Sequence, residues 1–304
     1  DVYLSRTTDQ IFKRTIPSMT GFENMISTMG EVANRGVEIN VRSVNFQNKD
    51  WKWDTNLTFW LNRNKLVHLY GEDLDGDGKE DNDLGNNLFI GESIHSIYGY
   101  KVAGIVQKDD TEYIKANGAT PGNPKYVDIS GNGTIGVEDR TILGSSDPRF
   151  KMSLANTISW KNLQLYFMLS GTFGGNGYYV SENAPAFLAG GGGGGAYSSN
   201  MYIPYWTEDR PSNKYPAANF SGDGRFKGLQ SRAFVRLQDI TLSYTFNSAK
   251  IKNFGINNLR VFFTGKNLFT ITGWENGDPE LGNTILSSTY PISTNLSLGA
   301  NISF

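Results

Sequence analysis

The chain has 304 residues and nearly balanced charge, with 28 basic and 30 acidic side chains and a formal net charge of -2, so it carries no electrostatic footprint for nucleic acid or an anionic membrane surface. Cysteine is absent and the histidines are His68 and His95, which removes disulfides, thiol nucleophiles and Cys-ligated zinc and argues against a His-built catalytic centre. Aromatic residues reach 13% and glycines number 35, while only 38% of residues are hydrophobic, a β-rich composition in which no apolar run approaches the ~18 residues of a membrane-spanning helix.

Taken in chain order, about eight strands are expected, near 1–10, 34–46, 51–62, 151–160, 163–173, 233–246, 258–268 and 293–304. The first begins at Asp1 without an initiator Met or leader, which reads as a fragment or processed piece. In Trp51 to Asn62, the apolar set Trp51, Trp53, Leu57, Phe59 and Leu61 alternates with polar partners, and Trp60 is the one exception. Leu163, Leu165, Phe167, Leu169 and Phe173 repeat the pattern against Gln164, Ser170 and Thr172. So do Ile240, Leu242, Tyr244 and Phe246, and finally Leu296, Leu298, Ala300, Ile302 and Phe304. Most of these segments exceed the ~5 or 6 residues usual in soluble proteins and reach the ~9 to 11 tilted residues that a bilayer demands. A large soluble β-sandwich or propeller shares the alternation and stays open on pattern alone.

Connection lengths separate two rims. Short links fall at Gln47 to Asp50, around Trp160 to Asn162, and at Asn247 to Asn257, while long excursions occupy 63–149, 174–232 and 269–292. Short turns on one side and long loops on the other are the outer-membrane pattern, with the long loops extracellular. Parity requires 63–149 to be one excursion, so the strand-like Tyr98 to Val106 is expected within it and not in the wall.

Two loops have calcium-site spacing. Asp73, Asp75, Asp77 and Asp81 stand at positions 1, 3, 5 and 9 of an EF-hand-like loop with Gly78 at position 6, although position 12 is Leu84. The second loop offers Asp128, Ser130 and Asn132, has Gly133 at position 6 and closes on Asp139. Either ion would be structural, since neither loop adjoins a nucleophile or base; the alternative is an Asx/Gly turn without metal. Tyr98, Tyr100, Tyr178, Tyr179, Tyr202, Tyr205, Trp206 and Trp274 crowd the loops as candidates for stacking on a sugar or peptide, or for interfacial and loop packing. The carboxylate pairs Glu208/Asp209 and Asp278/Glu280 read as solvated loop charges, because adjacency gives no glycosidase geometry. No catalytic residue is expected.

Several stretches resemble the SusC/RagA family of TonB-dependent outer-membrane transporters. Asn34-Arg35-Gly36-Val37-Glu38 resembles the family's N-x-G-[VI]-E strand opening, and Asp54 to Lys65 resembles the strand that follows. Tyr126 to Gly133, Asp139-Arg140, Gly144, Pro148 and Phe150 together are similar to its "DvNgDG…DDr…iGnpnP" passage. Trp206 to Pro216 resembles its W-T-P-E-N…YP loop, with Asp209-Arg210 where Pro and Asn are more usual. Arg232 to Leu237, Gly265-Lys266-Asn267-Leu268-Phe269 and Asp278-Pro279-Glu280 resemble its last strands, whereas the glycine tract Gly190 to Gly195 has no place in it.

That resemblance implies a 22-stranded barrel closed by a plug, of which this chain supplies the C-terminal strands. It also implies nutrient import of an oligosaccharide or peptide, a SusD-like surface lipoprotein over the mouth, and TonB acting through a part outside this chain. An autonomous eight-stranded barrel is the structural alternative, and a surface binding or adhesion β-protein the functional one. In such barrels the terminal aromatic strand serves assembly, so Phe304 is expected to act as the assembly signal or, alternatively, as an interfacial anchor.

Overall fold

A computed structural model describes residues 1–16, 19, 21–22, 24–178, 204–220, 225–226, 228–246, 255–275, 278–281 and 292–304. In chain order its elements are β1 (Val2–Thr15), β2 (Asn24–Gln47), β3 (Trp51–His68), β4 (Ser96–Tyr100), β5 (Val102–Ile105), the short helix α1 (Thr111–Asn117), β6 (Pro124–Tyr126) and β7 (Arg140–Ser145). They continue with β8 (Phe150–Trp160), β9 (Leu163–Phe173), β10 (Asn176–Tyr178), β11 (Leu229–Ser231), β12 (Phe234–Phe246), β13 (Asn258–Thr272) and β14 (Asn295–Ser303).

Eight of these form one antiparallel sheet in the order β1-β2-β3-β8-β9-β12-β13-β14. They are the eight strands that alternation singles out, and their ladders satisfy the backbone groups that hydrocarbon could not. Side chains paired across the ladders share a face. On one face Leu57, Leu154, Leu169 and Leu237 stand side by side, and below them Trp53, Ile158, Leu165, Leu242, Phe263 and Leu298. Trp53 and Leu242 are 43% and 46% exposed although both lie on interior strands, so the face itself is uncovered. It is the lipid-facing side of a barrel wall. Asn156, the polar intruder there, is buried and accepts from both the Trp53 Nε1 (2.9 Å) and the Thr55 hydroxyl (2.7 Å).

Aromatic rings border the apolar band at two heights. Near the short turns, Trp51 stacks on Trp160 at 5.7 Å and Tyr244 meets Phe246 at 4.7 Å. At the other end Phe150 contacts Phe59 at 5.6 Å and stacks on Phe173 at 4.5 Å. β8 links these levels over 11 residues, about 33 Å of strand or about 25 Å of height at a ~40° tilt, which matches the apolar band of a membrane barrel.

The rims follow from local chemistry. In the first short link, the Asn48 Oδ1 accepts the N–H groups of Asp50 and Trp51, an Asx turn. Between β8 and β9, Lys161 adopts a left-handed backbone with φ 50°, as a two-residue hairpin requires, and donates its N–H to Asp50 O in the neighbouring turn.

Four strands run past their expected ends by four residues or more: β1 to Thr15, β2 from Asn24, β3 to His68 and β13 to Thr272. Beyond the band the ladder continues without alternation, because there is no hydrocarbon to require it. There Val32, Leu66, Leu69 and Leu88 form a cluster with Phe12, Tyr70, Ile90 and Ile94 packed on it. The excursion from Leu69 to Arg149 folds back on itself, with β4 pairing β7 and β5 pairing β6, so Tyr98 to Val106 lies outside the wall. A second buried cluster joins Ile105 to Trp206 and Ala217, tying that excursion to the one before β12.

The two faces predict opposite tolerance to charge. Phe167→Arg, on the apolar face level with Asn156 and Ile240, should cost about 2–4 kcal/mol in reversible unfolding from lipid vesicles, and Thr157→Arg on the polar face far less. Equal costs at the two positions would contradict the assignment of faces.

Candidate functional site

The polar face carries residues in register across the wall. One row runs Asn40, Thr58, Ser153, Ser170, Arg236, Thr270, and the row nearer the long loops runs Glu38, Trp60, Lys151, Thr172, Phe234, Thr272. Trp60 breaks the alternation of its strand because it belongs to this second row, and the Lys151 Nζ lies 5.6 Å from the centre of its ring. The middle of both rows, from Thr58 and Trp60 to Arg236 and Phe234, borders a cavity of about 460 Å3, together with Gln238, Asn267 and Glu280.

Arg236 anchors one end of that cavity. Its guanidinium is 5% exposed and donates to Asp278 Oδ1 at 2.7 Å, to Glu280 Oε2 at 2.8 Å and to the Thr270 hydroxyl at 2.9 Å, while stacking over the Phe234 ring at 4.8 Å. Arg232 donates to the carbonyls of Pro279 (3.1 Å) and Glu280 (2.5 Å). Two arginines of the β12 approach therefore hold the Asp278-Pro279-Glu280 segment against the polar face. Asp278 is buried and its Oδ2 has no hydrogen-bond partner, which corrects the expectation of a solvated loop charge; Glu280 remains half exposed. Both carboxylates serve one arginine and face no second acid across a cleft, so they have no hydrolytic geometry. Glu208 pairs with Lys108 at 2.6 Å on the surface, as a solvated charge does.

The loop aromatics divide. Trp206 is buried against Ile105 and Ala217, its Nε1 donating to Gln107 Oε1 at 2.9 Å, and Trp274 is 5% exposed. Both are packing residues, a correction to their candidacy for stacking on cargo. Tyr205 is half-buried, and burial raises its hydroxyl pKa. Tyr98 packs on Phe89 at 4.7 Å under the Arg140 guanidinium, and Tyr100 lies 5.7 Å from Tyr126 with Arg225 over both rings. Tyr178 lies in β10; Tyr179, Tyr202 and the Gly190 to Gly195 tract lie outside the described residues. Phe304 follows β14 with its ring exposed.

The two acidic loops also differ. Asp73, Asp75 and Asp77 are exposed and bring one oxygen each within 4.8 Å of one another, while Asp73 accepts the N–H groups of Gly76, Asp77 and Gly78, and Asp81 that of Leu74. In the second loop Asp128 accepts from Gly131 and Gly133, and Asn132 from Thr134. Asp139 is fully buried, with Oδ1 taking the Ile129 and Ser130 N–H groups and Oδ2 that of Gly136. The N–H of Ser130 and then that of Gly136 hold its carboxyl at about 2, against the opposing effect of burial. The loop closes on this carboxylate through backbone donors.

Each histidine pairs with a carboxylate where the first excursion meets the wall. His68 Nδ1 lies 2.5 Å from Glu80, which also accepts the N–H groups of Leu69 and Gly71, and His95 Nδ1 lies 2.8 Å from Asp147. Burial pushes Asp147 up, but hydrogen bonds from Ser93 and Asn64, together with His95, bring it below the usual carboxylate range. Ser93 donates its hydroxyl to Asp147 at 2.7 Å, with no hydrogen bond to the His95 ring, so this group is not arranged as a nucleophile with its base.

The chain is similar over its whole length to TonB-dependent receptor P3 of Formosa agariphila, at 29% identity across 331 aligned positions that make up 32% of that protein. TonB-dependent receptor SusC of Bacteroides thetaiotaomicron is 27% identical over 319 positions, 30% of its length. The chain thus spans about a third of the length of the curated relatives it matches. No protein-family model matches. Among solved structures, a chain of the RagAB peptide transporter superposes with a TM-score of 0.74 at 24% identity, and one of the RagAB peptide importer in the open-open state with 0.72 at 22%. All of this chain is covered in both, against 33% and 32% of those chains.

Two substitutions test these anchors. Arg236→Met leaves Asp278 buried without its counter-ion and should cost about 3–5 kcal/mol, seen as a lower thermal midpoint in detergent; an unchanged midpoint would make the pair dispensable. For Asp139, the folded-state pKa lies below the ordinary ~3.9, so its stabilisation is present above about pH 5 and is lost as pH falls from about 4 to about 2. Protection of the amides across 128–139, taken relative to the intrinsic exchange rate at each pH, should fall over that range in the wild type, and be low already at neutral pH in Asp139→Asn, which turns a donor toward Gly136.

Proposed function

We propose, for a chain homologous over its whole length to TonB-dependent receptors of the SusC/RagA type, that it forms part of the barrel wall of an outer-membrane active importer of oligosaccharides or peptides. The observation that carries this reading is the eight-stranded wall with one exposed apolar face and one polar face, with tight turns at 48–50 and 161–162 on one rim and the long excursion 69–149 on the other. Among the described residues no helix is long and apolar enough to cross a membrane, so a spanning role falls to the strands.

In this reading the long-loop rim is extracellular and meets a SusD-like lipoprotein. TonB acts through a plug outside this chain, and the remaining strands pair with the edges of β1 and β14. The chain's own residues shape and line a passage and perform no covalent chemistry. Asp73, Asp75 and Asp77 would hold a structural Ca2+ better than the Asp128 loop, because affinity for a hard cation follows carboxylate number. A non-transporting adhesin would share the wall without the energy dependence.

The test uses the complete receptor in its outer membrane. Cysteines replacing Lys79 and Lys115 in the excursion should react with an impermeant maleimide on intact cells, and one replacing Lys49 in a short turn should not. Radiolabelled cargo should accumulate with TonB and only bind without it. Reversed labelling overturns the orientation, and TonB-independent accumulation or binding alone overturns the importer reading.

A further inference from the structure

Lys151 is a cation on the polar face that the fold does not use. It sits at the loop-side end of β8, in register with Trp60 on one neighbour and Thr172 on the other. The Trp60 ring, 5.6 Å from its Nζ, orients the charge without neutralising it. No carboxylate among the described residues lies within 4.0 Å of that nitrogen, whereas Arg236 on the same cavity is held by both Asp278 and Glu280.

The cavity between them, about 460 Å3, is bordered by the hydroxyls of Thr58, Ser153, Ser170 and Thr172. These can each donate and accept, and an ammonium supplies three donors. Charge around this space is not balanced. Arg236 and Lys151 are offset by Asp278 and Glu280, but Arg232 gives its donors to the carbonyls of Pro279 and Glu280, so these five groups sum to +1. Glu38, the nearest acid along the row, stands on the far side of Trp60 from Lys151.

We propose that Lys151 is the anion-recognising group of a subsite on the polar face for carboxylated or sulfated cargo, with the four hydroxyls binding the uncharged part of the chain. This rests on the importer reading above. The shared ligand chemistry is an anionic group on a polar oligomer, which an acidic oligosaccharide or an acidic peptide could bring. A long, singly attached ammonium suits the task, because it can follow the anion and release it, while the buried Arg236 stays fixed.

The experiment compares the complete receptor with its Lys151→Gln and Lys151→Arg variants, using oligogalacturonate against maltooligosaccharide of equal length and a Glu-rich peptide against a Gln-rich one. Lys151→Gln should lose about tenfold in affinity for an acidic probe, as removal of one charged contact does. Neutral probes should bind unchanged, and Lys151→Arg should retain most of the acidic preference. In the wild type that preference should shrink as salt rises, and in Lys151→Gln it should be flat. The saccharide and peptide arms identify which source of anion is used. Equal binding of acidic probes by wild type and Lys151→Gln overturns the proposal, as does an equal loss on acidic and neutral probes. Failure of the importer reading is separate: TonB would then not matter for any probe, whatever residue 151 is.

Discussion

The governing constraint is that each wall strand meets two different solvents while none of its backbone can go unpaired. Long antiparallel ladders answer the second demand, and strict alternation of side chains answers the first. A consequence is that the sheet has no hydrophobic core of its own. Among the described residues the fully buried apolar side chains, Leu66, Leu69, Ile105, Val106 and Pro216, lie at or beyond the loop-side rim, where the chain returns to water and must bury apolar surface in the ordinary way. Two kinds of folding physics therefore share one chain, separated by the ring of Phe59, Phe150 and Phe173.

This division explains what could be read in advance. Within the band, period-two alternation is enforced by lipid, and all eight wall strands were legible. Above it the signal vanishes while the ladder persists: Arg63 to His68 continues β3 and Asn24 to Ala33 begins β2, with neither alternating cleanly. Trp60 is instructive because it broke the pattern. An aromatic among polar partners is costly on a wet face unless it has work there, and the cation of Lys151 over its ring shows what it supports.

Loop features were less legible, because sequence shows spacing but not direction. The loop Asp128 to Asp139 has the spacing of a cation site, yet Asp139 turns both oxygens onto backbone N–H groups. The same Asx geometry that can prepare a metal site can also close a loop by itself. Trp206 and Trp274 looked available because they sit in loops, and became packing residues because large loops must build small cores. The Arg236–Asp278 pair joins residues 42 apart in sequence, so only the Asp-Pro-Glu motif hinted at it, without naming its partner.

The two cations of the polar face, Arg236 and Lys151, represent opposite ways of placing charge on a barrel wall. Arg236 is buried, planar and bound by two carboxylates, and removing its charge or that of Asp278 would strand the other away from water. Such a group fixes a loop; it cannot also give way to passing cargo. Lys151 carries the same charge on a flexible stem over an aromatic ring, exposed to water and with no ion-paired carboxylate among the described residues. In the proposed importer, contacts with cargo must form and break repeatedly, so the loosely held cation is the one suited to that role and the locked one to holding the wall beside it. Rigidity and adaptability are thereby assigned to adjacent rows, on β12 and β8 with β9 between them.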